Sequence, residues 1–385
     1  MIAAVIKENL PGEKRVALIP RNVGPLTKAG LEVLVESGAG AASLHTDAEY
    51  EKEGAQVEAD RGALLAQADL VLTVRGPGAF PAFPSEDLDR LKSGAILLGF
   101  LEPVAEPETM QALAGRGLTA FSMELVPRIT RAQSMDALSS MANIAGYEAV
   151  LLGAKHSPKM FPMQMTAAGT ITPAKVFILG AGVAGLQAIA TARRLGAVVE
   201  AYDIRPVVKE QVESLGARFV ELDIETEVAE GKGGYAAAQS DEFYRRQREL
   251  LAKHLESVDV VITTAAVPGK RAPILITTAM AEHLRPGSVV VDLAAEKGGN
   301  CELTRAGEIV EHQGITVLGP ENLPSEAAFH ASQMYSKNLA TFVELLVKDG
   351  NLALDLDDEI IKGTLVTHEG SVVHPAVLKA LGQEG

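Results

Sequence analysis

Residues 176–203 read VFILGAGVAGLQAIATARRLGAVVEAYD, and they restrict the fold of this chain more tightly than any other stretch. An apolar run at 176–179 ends on a glycine, as a buried strand does before a turn. Gly180, Gly182 and Gly185 then follow at the G-x-G-x-x-G spacing. The first glycine permits a tight turn, the second lets backbone approach a pyrophosphate, and the third lets a helix pack close to the strand. A helix opening at Val183 and Ala184 presents free N–H groups and the positive end of its dipole to phosphates. A second strand at 198–202 delivers Asp203, 23 positions after Gly180. An acid roughly 20 residues downstream is the partner of a ribose 2′-hydroxyl. A carboxylate there repels a 2′-phosphate, so the pattern favours NAD over NADP. Arg205 follows two residues later, and arginine is the residue that hosts a 2′-phosphate. A glycine turn in an ordinary βα unit would explain the glycines but not the acid.

The length of 385 residues suits two domains. Hydrophobic residues make up 47% and charged residues 22%, the balance of a soluble globular protein with sizeable cores. A net charge of −15 and no long basic run argue against nucleic acid or anionic lipid as partners. Cys301 is a single cysteine, which excludes an intramolecular disulfide and fits a reducing compartment. The apolar run at 2–6 stops at Lys7 and Glu8, too short for a signal-peptide core. Segment 176–192 is nearly uncharged, but its glycines and Arg193–Arg194 fit a βα unit better than a membrane span. His312 and His330 have no companions at metal-ligand spacing, so no metal is expected.

Short apolar strands alternate with helical patterns along the whole chain. Strands are expected at 2–6, 32–36, 69–74, 95–101 and 118–123, with helices such as 22–29 and 107–114 between them. The rhythm resumes at 176–179, 198–202, 218–220, 258–263, 288–293 and 316–318. Such alternation implies parallel sheets with helices on both faces. The expected fold is therefore α/β: two Rossmann-like, doubly wound parallel-sheet domains joined by two long helices, with a cofactor cleft between them. The first domain takes residues 1–133 and 326–385 and lacks the glycine fingerprint. Residues 134–165 form a linker helix and connection, and 166–325 form the nucleotide-binding domain. Met135, Leu138, Met141, Ala145 and Ala149 recur at helical spacing within the linker. Segment 158–173 reads as an irregular connection. A second long helix runs from 324–325 to about 347, with Ser325 as its N-cap.

Several further segments carry a family signature: PRITRAQSMDALSS at 127–140, PMQMTA at 162–167, GGYA at 233–236, TTAAVPGKRAP at 263–273, DLAAEKGGNC at 292–301 and NLPS at 322–325. Together with the fingerprint they resemble the NAD(H)-binding domain I, the soluble first portion of the alpha subunit, of proton-translocating NAD(P) transhydrogenase. The likeness runs from about residue 3 to about 375. The fold also resembles alanine dehydrogenase, a sister family. That family has a lysine in a V-K-E-P-like context where this chain has Arg75, and a histidine in a Y-L-H-L-A-like context where it has Glu102. Oxidising an amino acid at carbon needs a base active near neutral pH. Histidine meets that need, whereas an exposed glutamate with a reference pKa of about 4.3 meets it poorly. Arg15 can grip a carboxylate or simply maintain the fold.

The resemblance implies a Re/Si-specific enzyme component that exchanges a hydride between NADH here and NADP on a partner subunit. Proton translocation would reside in a membrane-spanning partner. It further implies a homodimer, held on the cytoplasmic face of the membrane through the other subunits. Residue by residue, Arg128, Gln133, Asp136 and Ser139 match nicotinamide and pyrophosphate contacts, and Tyr235, beside Gly234, matches a tyrosine at the tip of a glycine-rich lid. Gln133, Asp136 and Ser139 are spaced by three, on one side of the linker helix's first turns. Spacing alone leaves another reading open, in which Asp136 complements the helix dipole and Arg128 is a solvated charge. Gln247 matches a further cofactor contact, although it looks locally like an exposed helix residue. Ile204 and Arg205, next to Asp203, are further cofactor-binding candidates. Thr264, Ala265 and Ala266, small residues at a strand's carboxyl end, let an adenosine or ribose approach or simply pack tightly.

Overall fold

The computed structural model describes residues 1–80, 82–222, 241–266 and 271–383. The chain divides into two compact units, Met1–Met141 with Ser325–Gly385, and Ala142–Pro324.

The first unit is built on β1 (Ile2–Val5), β2 (Glu32–Glu36), β3 (Gln56–Glu58), β4 (Leu70–Arg75), β5 (Ile96–Phe100) and β6 (Thr119–Ser122). These six pair in parallel in the order 3-2-1-4-5-6. Leu70, Leu72, Leu97 and Leu98 are at most 1% exposed. Near-continuous apolar runs are what a parallel sheet covered on both faces requires. Strand Leu365–His368 joins antiparallel to β6, and Ser371–Val372 closes that edge. Helix Ala328–Leu346 buries Leu339, Phe342, Val343 and Leu346. Phe342 packs edge-on against Phe121 of β6 at 5.7 Å.

Ser325 is not the N-cap of that helix. It lies in a 3-10 turn, Leu323–Ala327, and the cap position falls at Ala327 without a side-chain hydrogen bond. The Ser325 hydroxyl instead donates to Glu13 Oε1 at 2.6 Å and accepts the Lys14 N–H at 3.2 Å.

The second unit opens on helix residues up to His156. Segment 158–173, expected to be irregular, contains a hairpin of β7 (Gln164–Thr166) and β8 (Gly169–Ile171). All six hairpin residues are exposed. β9 (Lys175–Leu179), β10 (Val198–Tyr202), β11 (Arg218–Phe219), β12 (Val260–Thr263), β13 (Val289–Asp292), β14 (Ile309–His312) and β15 (Ile315–Leu318) form the main sheet. Its order is 11-10-9-12-13-15-14, parallel except for β14 at the edge. Counted among themselves, its parallel strands repeat the 3-2-1-4-5-6 arrangement. The order reverses between β9 and β12, and such a switch point opens a crevice at the strands' carboxyl ends.

Candidate nucleotide site

The glycine turn leaves β9 where that crevice opens. Gly180 has φ +104°, a left-handed conformation that disfavours any side chain. Its N–H donates to the Tyr202 carbonyl at 2.9 Å. A Cβ on Gly185 would sit 1.8 Å from the Gly180 carbonyl oxygen, so the helix approaches the turn as closely as a glycine allows. Gly182 differs from both. Its φ is −77°, and a Cβ there would meet no atom of the described residues within 4 Å. Among the described residues no steric contact requires glycine at 182, whereas a ligand lying against the backbone would. Helix Val183–Arg194 begins immediately after, with Gly182 as an N-cap that has no side chain to occupy the first N–H groups. Val183 is 37% exposed and Ala184 half-buried at this mouth.

Asp203 ends β10 and is 8% exposed. Its Oδ2 accepts the Ala181 N–H at 2.7 Å, which ties the acid to the glycine turn. Arg205 donates to the same carboxylate from its backbone N–H and Nε, both at 2.9 Å, and from Nη2 at 2.8 Å. The expected ribose acid is therefore held by its neighbouring arginine. Half-buried Ile204 lies between them.

Across the switch point, the chain leaving β12 is pinned to the same turn. The Thr264 hydroxyl donates to the Gly180 carbonyl at 3.0 Å. Ala265 is half-buried and Ala266 exposed. Small side chains at these positions add little bulk beside the turn.

Gln247 overturns its reading as an exposed helix residue. It is 1% exposed, and its Nε2 donates to the Tyr202 hydroxyl at 2.9 Å. Its Oε1 is buried and accepts no hydrogen bond from the described residues. A buried, unsatisfied acceptor is costly and calls for a donor. The sequence does carry a signal: Phe243, Gln247, Leu251 and Leu255 recur every four residues, and all are buried.

The segment 128–139 departs from a single helix. Thr130–Met135 is a 3-10 turn, and the helix proper is Ala137–His156. Arg128 and Gln133 are exposed. Asp136 stands between turn and helix with ψ 85°, accepting the Ser139 N–H at 2.8 Å and the Ser139 hydroxyl at 2.6 Å. It caps the helix through a residue three positions on. Gly234, Tyr235 and the rest of GGYA lie outside the described residues.

In the first unit, the carboxyl ends of β1, β4, β5 and β6 gather charged residues. Glu8 accepts the N–H groups of Val74 at 2.6 Å and Arg75 at 3.1 Å, and the Thr73 hydroxyl at 2.9 Å. Burial pushes its carboxyl up to about 7, and the Glu13 charge adds to the rise against the opposing hydrogen bonds. Glu124 accepts the N–H groups of Leu101 at 2.7 Å and Glu102 at 2.8 Å, and bonds the Ser122 hydroxyl. Burial, then the Glu102 charge, lift it to about 7. Glu13 goes the other way. Burial alone would raise it, but the Arg15 charge and hydrogen bonds outweigh that and hold it at about 2. Arg15 is 3% exposed and grips Glu13 from Nε at 2.7 Å and Nη2 at 2.6 Å. Glu102 has φ +48°, a strained conformation for a residue with a side chain. Among the described residues no group of His, Cys, Asp and Glu could hold a metal, and no helix is long and apolar enough to cross a membrane.

Fold and turn together define a doubly wound α/β protein with a glycine turn of the dinucleotide type. Two family models match: "Alanine dehydrogenase/PNT, N-terminal domain" over residues 4–145 and "Alanine dehydrogenase/PNT, C-terminal domain" over 149–375. The first portion of the NAD(P) transhydrogenase alpha subunit of Rhodospirillum rubrum is 47% identical over 380 residues, covering 98% of this chain and 99% of that one. The crystal structure of transhydrogenase from Sinorhizobium meliloti superposes with a TM-score of 0.86 at 47% identity, covering 97% of this chain and 100% of the other. Alanine dehydrogenase of Bacillus subtilis is a more distant relative, 28% identical over 392 residues, with 100% and 96% covered. The chain belongs to the alanine dehydrogenase/PNT family, on the side of the NAD(P) transhydrogenase alpha subunits.

Proposed function

We propose that this chain is the NAD(H)-binding subunit of a proton-translocating transhydrogenase. The observation that carries the reading is Gly182: a glycine open beside a buried acid and a helix N-terminus, with no contact among the described residues to explain it. The turn at Gly180, Gly182 and Gly185, with the first N–H groups at Val183 and Ala184, would hold the pyrophosphate. Asp203 would accept from the adenosine ribose, with Ile204 and Arg205 beside it. Gln247 and Ala266 would complete that end, and the Gln247 Oε1, buried without a partner among the described residues, would take a donor from the ligand. Arg128, Gln133, Asp136, Ser139, Gly234 and Tyr235 hold the nicotinamide end, as the resemblance implies. The Gln133 amide offers both donor and acceptor to a carboxamide.

When bound, the reduced nicotinamide would supply the chemistry, a hydride carrying both electrons to the oxidised nicotinamide of NADP on a partner subunit. The work of this chain is to bind and orient that ring and to exclude water. A membrane-spanning partner carries the protons, and the chain acts as a homodimer on the cytoplasmic face. The relatives' names, as subunits of a transhydrogenase, support the partner subunits; the homodimer and the membrane face are what the resemblance implies.

The test mixes the purified chain with an NADP-binding partner domain, NADPH and an NAD analogue. Analogue reduction that requires the partner is the expected result. Reduction of NAD by L-alanine without a partner would sink the proposal in favour of an amino-acid dehydrogenase. Inactivity in both assays would make the chain a binding protein only.

A further inference from the structure

The motif DLAAEKGGNC at 292–301 takes no part in the nucleotide contacts above, yet it contains a side-chain amide bonded through both its oxygen and its nitrogen beside the second unit's switch point. Asn300 is 0% exposed. Its Nδ2 donates to the Ala265 carbonyl and the Pro273 carbonyl, both at 2.8 Å. Its Oδ1 accepts the Ala265 N–H at 3.0 Å. Its main-chain carbonyl accepts the N–H groups of Leu275 at 2.8 Å and Ile276 at 3.0 Å. Its own N–H donates to Asp292 Oδ2 at 2.7 Å. Asp292 is 0% exposed and also receives the Thr263 hydroxyl at 2.9 Å and the Thr304 hydroxyl at 2.7 Å. One side chain therefore fixes both polar groups of Ala265 and ties them to residue 273, while Thr264 fixes the neighbouring position to Gly180.

We infer that Asn300 is a positioning residue for the dinucleotide. It sets the height of the backbone at Thr264, Ala265 and Ala266 beside the glycine turn, and so controls NADH affinity without touching the ligand. The inference rests on the nucleotide reading above. The chemistry needs an amide: one acceptor and two donors at a single short reach. Aspartate keeps the acceptor for Ala265 N–H but turns an anion toward two carbonyl oxygens. Serine is too short to span Ala265 and Pro273. Either change frees the turn to shift, and binding geometry is sensitive to displacements of about 1 Å.

Three variants of the full chain, Asn300→Asp, Asn300→Ser and Thr264→Val, are compared with wild type. NADH affinity is read from its fluorescence, hydride transfer at a saturating concentration of the NAD analogue from the partner assay, and folding from thermal melts. The expected result is NADH binding weakened roughly ten-fold or more in the Asn300 variants, with transfer at saturation within about two-fold of wild type. Thr264→Val loosens the same turn from the other side and weakens NADH binding in the same direction, which decides the matter if the Asn300 variants do not fold. A folded Asn300 variant with a lower melting temperature and wild-type NADH affinity overturns the inference and leaves the nucleotide reading intact. A wild-type chain that binds no NADH overturns both.

Discussion

The three glycines of the fingerprint share a motif but answer to different forces. Gly180 is held by its backbone conformation and Gly185 by a backbone atom 1.8 Å from any added Cβ. Alanine at either position forces the turn apart whether or not a ligand is present. Gly182 has an ordinary φ and open space, so the same substitution separates binding from folding. Losing backbone freedom in the unfolded chain stabilises Gly182→Ala by up to about 1 kcal/mol, and losing a glycine N-cap costs a similar amount. The two offset, so the melting temperature should barely move. NADH affinity should fall at least about ten-fold, because a methyl group then occupies the path of the pyrophosphate. Calorimetric titration of the variant measures this directly. Wild-type affinity in Gly182→Ala would show that the phosphates do not lie on this turn.

At the scale of elements, the 3-10 turn Thr130–Met135 gives Gln133 a rigid base. Ala132 and Met135 are buried beneath it, and Asn338 Nδ2 donates to the Ser134 carbonyl at 2.8 Å. Shortening the side chain in Gln133→Asn withdraws the amide by about 1.5 Å while the turn stays in place. Hydride transfer should then slow roughly ten-fold or more, with NADH affinity within about two-fold, the mark of lost orientation rather than lost binding. Single-turnover transfer with the partner domain tests this, and an unchanged rate would remove Gln133 from the reaction. The turn itself is not legible in the sequence: Met135, Leu138 and Met141 keep helical spacing straight through it, and the break at Asp136 is a matter of cap geometry. The fingerprint is legible because strand, turn, helix and acid all point to one answer. The hairpin β7–β8 is hidden because its six residues are exposed and carry no buried alternation. β14 escapes notice because an edge strand with residues exposed at Ile309 and Glu311 shows no apolar run. Gln247 misleads because its polarity outweighs a four-residue spacing that places it inside.

Across the whole molecule, the two units carry different titratable interiors and should respond to pH differently. Glu8 and Glu124, both in the first unit, have carboxyls raised to about 7 from an ordinary value of 4.5. A carboxyl raised on folding binds its proton more tightly in the native state. Its stabilising effect is complete below pH 4.5 and is lost as pH climbs through 7. Each group contributes a slope of up to about 1.4 kcal/mol per pH unit within that window. His45 and His374 in the same unit are depressed by burial and favour folding as pH rises, but the carboxyl shifts are the larger. The second unit has His254, depressed by burial, and no raised carboxyl among its described residues. Its stability should hold or rise as protonation of the unfolded histidine ceases above about pH 6.5. Glu13, held at about 2, matters only in strong acid, where its contribution is lost as pH falls. Hydrogen exchange corrected for intrinsic rates reads each unit separately. Between about pH 5.5 and about pH 8 the protection free energy of β4, β5 and β6 should fall, while that of β9, β12 and β13 should not. Glu124→Gln should flatten the first slope and leave the second alone. Equal slopes in the two units, or an unchanged first slope in Glu124→Gln, would show that these carboxyls do not govern the pH response of the fold.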